Sequence, residues 1–471
     1  MSKITFGTDG WRGLIAKDFT FDNVNLVSKA LAFYVKDNYR NKPVIIGYDT
    51  RFLADKFANE IAKVITDFGF NVLMSDSFIP TPVIAFAAKY YNSAGAIMVT
   101  ASHNPPEYCG IKYIPDYAGP ATNDITSEII ANINLLQDGS LEFKEAKEKG
   151  KIEFFNPKKE YFESLKKVLD MDKFSKLNLK VSYDPLYATG IGYFDEFLKL
   201  NSQCELFVIN NHRDVLFGGG MPEPSEKYLN NLKDLVLKSK SNCGFSNDGD
   251  SDRFGVIDEN GHYYNPNQVI SLLLRHLVKN RKFKGAVVRT VATTHLLDKL
   301  ANHFEINLIE TPVGFKYVGE RMRETEVIIG GEESGGLSIL GHIPEKDGIL
   351  ANLLILEMLS YENKTLSQIW YDLVSEVGYK PYNKRLDIHL TEERKKIIMN
   401  KFKNSTPDKM SNLNVIGVKT IDGVKLLLED NHSWVLIRSS GTEPLIRVYL
   451  ESDSQEKLIK LQEYMETLLN E

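Results

Sequence analysis

A chain of 471 residues exceeds what one hydrophobic core supports and predicts about three or four domains. With 43% hydrophobic and 25% charged residues its composition is that of a globular protein, and a net charge of -6 with a pI near 6.0 excludes a duplex-coating nucleic-acid binder while leaving room for a local basic pocket. Cys109, Cys204 and Cys243 are odd in number and lack Cys-x-x-Cys spacing, which argues against a disulfide framework or a structural zinc site and fits a reducing cytoplasm. The opening residues carry no apolar signal region, and no later stretch is apolar for long enough to span a bilayer, so a cytoplasmic protein without membrane attachment is expected.

In chain order, Phe6-Gly7-Thr8-Asp9-Gly10-Trp11-Arg12-Gly13 is non-periodic and reads as a turn, although its glycines and arginine would also suit an approach to phosphate. Helical periodicity follows over Phe21 to Val35, then a strand at Val44 to Asp49, a helix from about Ala54 to Phe68, and a strand at Val72 to Met74. An apolar strand that ends in polar residues and leads into a helix recurs at Leu179 to Pro185 and at Ala286 to Thr290. Each is followed by a second strand that breaks into an unusual loop: Ala96 to Ser102, Gly244 to Asp252, and Val327 to Ser334. The pattern predicts three related α/β units, each contributing one loop.

Glu142 to Lys151 is a mixed-charge run that reads as a solvated helix or linker, and Val377 to Lys384 as a second connector. Beyond it the runs Val415 to Val418 and Trp434 to Arg438 alternate like strands, and a helix is expected over Gln455 to Leu469. The fold class is therefore α/β: three related α/β domains with mixed, mainly parallel sheets and a smaller C-terminal α+β domain. The expected boundaries are 1–145, 155–260, 261–375 and 380–471.

Four loops carry chemistry. In Thr100-Ala101-Ser102-His103-Asn104-Pro105-Pro106 a hydroxyl stands at the C-terminal end of a buried-looking strand, where open α/β sheets place ligands. In Asn247-Asp248-Gly249-Asp250-Ser251-Asp252-Arg253 three carboxylates alternate, and their mutual repulsion calls for a hard divalent cation such as Mg²⁺ or Ca²⁺. An EF-hand is excluded because its sixth position, which needs glycine, is Arg253, and because strand-like residues flank the loop. The third loop, Gly330-Gly331-Glu332-Glu333-Ser334-Gly335-Gly336, sets carboxylates and a hydroxyl among glycines, which suits sugar hydroxyls. Beyond it, Asp347 in His342-Ile343-Pro344-Glu345-Lys346-Asp347-Gly348 is positioned to cap a helix. The fourth, Arg438-Ser439-Ser440-Gly441-Thr442-Glu443-Pro444, has the makings of an anion nest for phosphate.

Two chemistries compete for Ser102. A Ser-His hydrolase needs a histidine facing the hydroxyl, but His103 is adjacent, and in extended backbone its side chain would point away; a Gly-x-Ser-x-Gly elbow is also missing. A serine that carries a phosphoryl group, with its oxygens held by a cation on the aspartate loop, uses all four loops together. The sequence has no Gly-x-x-x-x-Gly-Lys-Ser/Thr, which disfavours an ATP-dependent P-loop kinase.

These four motifs, in this order and spread over nearly the whole chain, resemble those of the α-D-phosphohexomutase superfamily of phosphoglucomutases, phosphomannomutases and phosphoglucosamine mutases. The resemblance implies four domains around one central cleft and a Ser102 that is phosphorylated in the resting enzyme. It implies Mg²⁺ held by Ser102, Asp248, Asp250 and Asp252, with glucose 1,6-bisphosphate as intermediate and activator. It assigns Glu332 and Ser334 to sugar hydroxyls, Arg438, Ser440, Gly441 and Thr442 to the non-reacting phosphate, and Arg253 to the reacting region. Arg12 and Lys112 would stabilise charge and act in acid/base work, and His103 would assist proton transfer.

The Glu332-Glu333-Ser334, Gly314-Phe315-Lys316 and Glu345-Lys346-Asp347-Gly348 segments resemble phosphoglucomutases most, which places Lys346 among the substrate-binding residues and makes glucose the expected sugar. A mannose or glucosamine phosphate by the same mechanism is the alternative, and a non-catalytic sugar-phosphate binder the alternative of another class. Partners are expected to be small hexose phosphates, not nucleic acid or membrane, for a monomer or homodimer. Cys109 stands where the family often has asparagine, and its thiol is expected to be open to oxidation near the phosphoserine.

Overall fold

One strand arrangement occurs three times in the chain. A computed structural model describes residues 4, 6–7, 10–39, 41–439 and 445–470. The first sheet contains β1 (Trp11–Leu14), β2 (Val44–Tyr48), β3 (Val72–Ser75), β4 (Ala96–Val99), β5 (Tyr108–Ile114) and β6 (Ile152–Phe155), in the order β1-β5-β4-β2-β3-β6. The second contains β7 (Lys180–Asp184), β8 (Glu205–Val208), β9 (Cys243–Asn247), β10 (Phe254–Asp258) and β11 (Tyr263–Tyr264), in the order β11-β10-β9-β7-β8. The third contains β12 (Ala286–Thr290), β13 (Leu308–Thr311), β14 (Val327–Gly331) and β15 (Leu337–Ile339), in the order β13-β12-β14-β15. Without the additional edge strands, each sheet has its first strand between two parallel neighbours, the second of which pairs with an antiparallel strand.

Register places the loops at equal heights. Tyr48 pairs with Val99, Asp184 with Ser246, and Arg289 with Gly331, so in each unit the chain leaves the sheet just beyond the same pair. The central strands β2, β4, β7, β9, β12 and β14 are buried almost throughout, as expected of strands covered on both faces.

The three units share a core. The helix Gly348–Glu362 is mostly apolar and buried from Gly348 to Leu359, and it packs against β9 and β10 of the second sheet and β15 of the third, in a core that also takes in residues of the first. Its N-terminus is capped as expected: the Asp347 carboxylate accepts the Leu350 N–H. A second core lies under the helices Phe21–Asn38, Ala54–Asp67 and Asn123–Gln137 of the first unit.

The fourth unit is an antiparallel sheet of β16 (Tyr382–His389), β17 (Lys409–Met410), β18 (Leu413–Lys419), β19 (Val424–Leu428), β20 (Trp434–Ser439) and β21 (Leu445–Ser452), in the order β16-β21-β20-β19-β18-β17, with helices Glu392–Asn404 and Gln455–Asn470. It has its own core and docks on the third unit through Trp434, Leu436 and Tyr449 against Val291 and Ala292. No helix among the described residues is long and apolar enough to cross a membrane.

Three local expectations are corrected. Within the Phe6 to Gly13 stretch, Trp11 onward forms β1, an edge strand against β5, because β5 offers unpaired backbone that outweighs the glycines. The charged run ahead of β6 is non-helical and mostly exposed, as a linker is expected to be, but Ala146 N–H donates to Asp67 O and Gly150 N–H to Thr66 O, and it delivers β6 to the first sheet, which therefore extends to Phe155. Residues 382–384, read as connector, begin β16.

Candidate active site

Ser102 leaves β4 in the left-handed region, at φ 52°, and its N–H donates to Thr100 Oγ1 at 2.8 Å. That turn sends the side chain across the unit boundary, where Ser102 Oγ donates to Asp248 Oδ2 at 2.8 Å. The hydroxyl is buried with the aspartates Asp248, Asp250 and Asp252, each of which places a carboxylate oxygen within 4.8 Å of the other two. The backbones also meet: a Cβ added to Gly249 would stand 2.3 Å from Ser102 O, so only glycine fits there.

Cations from two other units converge on the triad. Lys112, on β5, donates to Asp250 Oδ2 at 2.8 Å and Asp252 Oδ2 at 3.0 Å. Lys346 lies 3.2 Å from Asp252 Oδ2, and a Cβ on Gly336 would meet its side chain at 2.5 Å, so the glycine opens its path. Asp248 also accepts the Arg253 N–H at 3.0 Å. Burial, followed by repulsion from Asp250 and Asp252, still pushes the Asp248 carboxyl well above its usual range. Asp252 Oδ1 is buried and accepts no hydrogen bond among the described residues. Three converging carboxylates and such an oxygen fit a hard divalent cation.

His103 differs from expectation. Because Ser102 is left-handed, not extended, the ring of His103 does not turn away: Nδ1 stands 3.4 Å from Ser102 Oγ. Burial, then the charges of Arg253, Arg12, Lys112 and Arg51, hold its pKa well below the ordinary value, which disfavours the charged imidazolium. Arg12 reaches the same loop through Asn104 Oδ1 at 2.6 Å.

The sugar-loop candidates sit beside this centre. Glu332 is buried, which raises its pKa against the opposing charge of Lys346 and the hydrogen bond from Ser334. Arg253 Nε is buried without a hydrogen-bond acceptor among the described residues. In the fourth unit Arg438 Nε is paired with Asp422 Oδ2 at 2.7 Å, and the same oxygen accepts the Val313 N–H of the third unit at 3.0 Å. Ser440, Gly441 and Thr442 lie outside the described residues.

Family models for phosphoglucomutase/phosphomannomutase match in sequence order: alpha/beta/alpha domain I over residues 3–138, domain II over 159–261, domain III over 265–377 and the C-terminal domain over 399–468. The chain belongs to the phosphoglucomutase/phosphomannomutase family. A phosphoglucomutase/phosphomannomutase from Thermococcus kodakarensis is 30% identical over 98% of this chain and 96% of its own length. A phosphoglucosamine mutase from Clostridium botulinum (strain Langeland) is 30% identical over 97% and 96%. The crystal structure of a Thermus thermophilus protein assigned as a phosphomannomutase superposes with a TM-score of 0.87 at 32% identity, covering 100% of both chains. Members of this phosphohexomutase family are mutases, that is, isomerases, and this chain is such an enzyme.

Sequence reasoning missed two parts of the mutase site. Thr81, at the start of the helix Thr81–Tyr90, donates its hydroxyl to Asp250 Oδ2 at 2.6 Å and its N–H to Asp250 O at 2.9 Å. Arg51 is fully buried behind the serine loop. Cys109 needs a correction: it is fully buried on β5, and burial pushes its thiol pKa up, which makes it an inert core residue instead of an oxidisable one.

Proposed function

We propose that the protein is a phosphoglucomutase that interconverts glucose 1-phosphate and glucose 6-phosphate through a phosphoserine at Ser102 and a hexose 1,6-bisphosphate. The observation that carries this reading is the Ser102 hydroxyl at 2.8 Å from Asp248, within a buried carboxylate triad that is met by Lys112. A purely binding protein needs neither a phosphoacceptor nor a cation site.

Asp248, Asp250, Asp252 and the phosphorylated Ser102 would hold Mg²⁺, which when bound neutralises charge on the transferring phosphoryl group. The chain's own residues position the sugar and its phosphates. Glu332 and Ser334 take the sugar hydroxyls, Arg438 with Ser440, Gly441 and Thr442 grips the non-reacting phosphate, and Arg253 and Lys346 face the reacting end. Lys112 and Arg12 stabilise charge and do acid/base work at the reacting hydroxyl. His103, whose Nδ1 lies beside the serine oxygen, assists proton transfer there.

Glucose is favoured by the Glu332-Glu333-Ser334 loop, the Gly314-Phe315-Lys316 segment and the Glu345 to Gly348 stretch. The test is a panel of hexose 1-phosphates supplied with Mg²⁺ and a trace of glucose 1,6-bisphosphate. The highest kcat/KM is expected for glucose 1-phosphate; a preference for mannose or glucosamine phosphate would overturn the sugar assignment and leave the reaction class standing.

A further inference from the structure

A single guanidinium gathers the loop that carries Ser102. Arg51 Nη2 donates to the carbonyls of Ser102 and Asn104, each at 2.6 Å, and Nη1 to those of Pro105 at 2.7 Å and Tyr108 at 3.0 Å. Its Nε donates to Asp49 Oδ2 at 3.1 Å, and Asp49 in turn accepts the Arg51 N–H at 2.9 Å. Four carbonyl dipoles aimed at one buried point repel one another unless a cation stands there, and Arg supplies a planar fork that is always charged. The left-handed backbone of Ser102 is strained for a residue with a side chain and persists only where its surroundings over-determine it. The Arg51 fork provides that determination, since it holds the Ser102 carbonyl while the hydroxyl points at Asp248.

The second unit closes over this fork. Arg213 Nε donates to Thr50 O at 3.0 Å and its Nη2 to Arg51 O at 3.2 Å, while the buried ring of Phe217 lies 5.1 Å from the Arg51 guanidinium. Asp214 holds the turn between them, accepting the N–H groups of Leu216 and Gly218, each at 2.9 Å.

We propose that Arg51 is a positioning residue for phosphoryl transfer, fixing the pose of the Ser102 hydroxyl, and that the Arg213 to Phe217 turn of the second unit locks it in place. The proposal rests on the reading of Ser102 as phosphoryl carrier. The docking of the second unit on the first then governs the rate of the phosphoryl steps, while the grip on the sugar phosphate, made by other loops, is unaffected.

The test compares wild type, Arg51→Lys and Arg213→Ala in kcat, in KM for glucose 1-phosphate, and in the rate at which glucose 1,6-bisphosphate loads a phosphoryl group onto Ser102, followed by intact mass. Lysine keeps the charge and loses the fork. Arg51→Lys is expected to lower kcat and the loading rate together by about 10- to 100-fold, with KM held within about 3-fold. Arg213→Ala, which touches neither Ser102 nor substrate, is expected to show the same pattern at about 3- to 10-fold with its melting temperature nearly unchanged. A folded Arg51→Lys variant with wild-type kcat, or a loss that appears mainly in KM, overturns the proposal. Should Arg51→Lys fail to fold, wild-type kinetics in Arg213→Ala overturn it. A wild-type protein whose Ser102 takes up no phosphoryl group would instead overturn the proposed function, so the two failures are distinct.

Discussion

Asp49 stands at the end of β2 in the first unit and Asp184 at the end of β7 in the second. Each accepts the backbone N–H two residues on, from Arg51 at 2.9 Å and from Leu186 at 2.8 Å. Burial is the main influence on both and pushes both carboxyls up to about 6. The units diverge at the partner. In the first, the side chain of Arg51 folds back to collect the following loop; in the second, the place is taken by a leucine, and Asn210 supplies a neutral amide at 3.0 and 3.1 Å. A charged partner turns a strand end into a clamp on a neighbouring loop. With a neutral one, the aspartate loop is ordered by its own backbone and by Thr81, Lys112 and Lys346. Similar scaffolds thus carry different chemistry because the residues at the strand ends differ.

Ser102→Ala breaks the first unit's contribution completely and should cost at least ~10³-fold in kcat, being the covalent relay; near-normal turnover would refute the mechanism. Lys112→Ala removes the first unit's charge from the second unit's loop, and a loss of about 10²-fold in kcat is expected, measured by coupled assay at saturating substrate. A value within a few-fold of wild type would show that Lys112 only balances charge. Asp49→Asn leaves Arg51 without its ionised partner and should lower kcat by about 10-fold.

Asp184→Asn sharpens the contrast, because the second unit has no clamp to lose and kcat should stay within about 3-fold of wild type. Its effect is on stability. The folded carboxyl, at about 6, lies above its ordinary value of 3.8, so the folded state binds the extra proton between those values. The contribution of Asp184 to stability therefore falls as pH rises from about 4 to 6, by roughly 3 kcal/mol at most, and levels off above. The variant should lack this contribution, which urea midpoints measured from pH 4 to 7 would reveal; an unchanged slope would mean that the burial of Asp184 is not what sets it.

The four loops were legible in the sequence because each follows a strand-like run, and the repeat was legible because a strand that ends in polar residues and leads into a helix recurs. The clamp was not. Arg51 acts on backbone carbonyls of Ser102, Asn104, Pro105 and Tyr108, which leave no side-chain pattern, and Thr81 meets Asp250 only through folding, 169 residues away. The turn of His103 toward Ser102 followed from a left-handed backbone that a β-strand reading does not anticipate. The edge strands β1 and β6 are four residues each, so the alternation of burial along β1 is too brief to stand out in the sequence, and β6, with three of four residues exposed, has none.

The contact of Gly249 with the Ser102 carbonyl has a consequence for how such a chain can change over generations. Two loops packed backbone to backbone cannot accept an added residue in either one without separating the phosphoacceptor from its carboxylates. Residues 138–142, mostly exposed and far from this contact in sequence, have no such constraint. Insertions and deletions are free to accumulate there, while the serine and aspartate loops must keep their length and vary together.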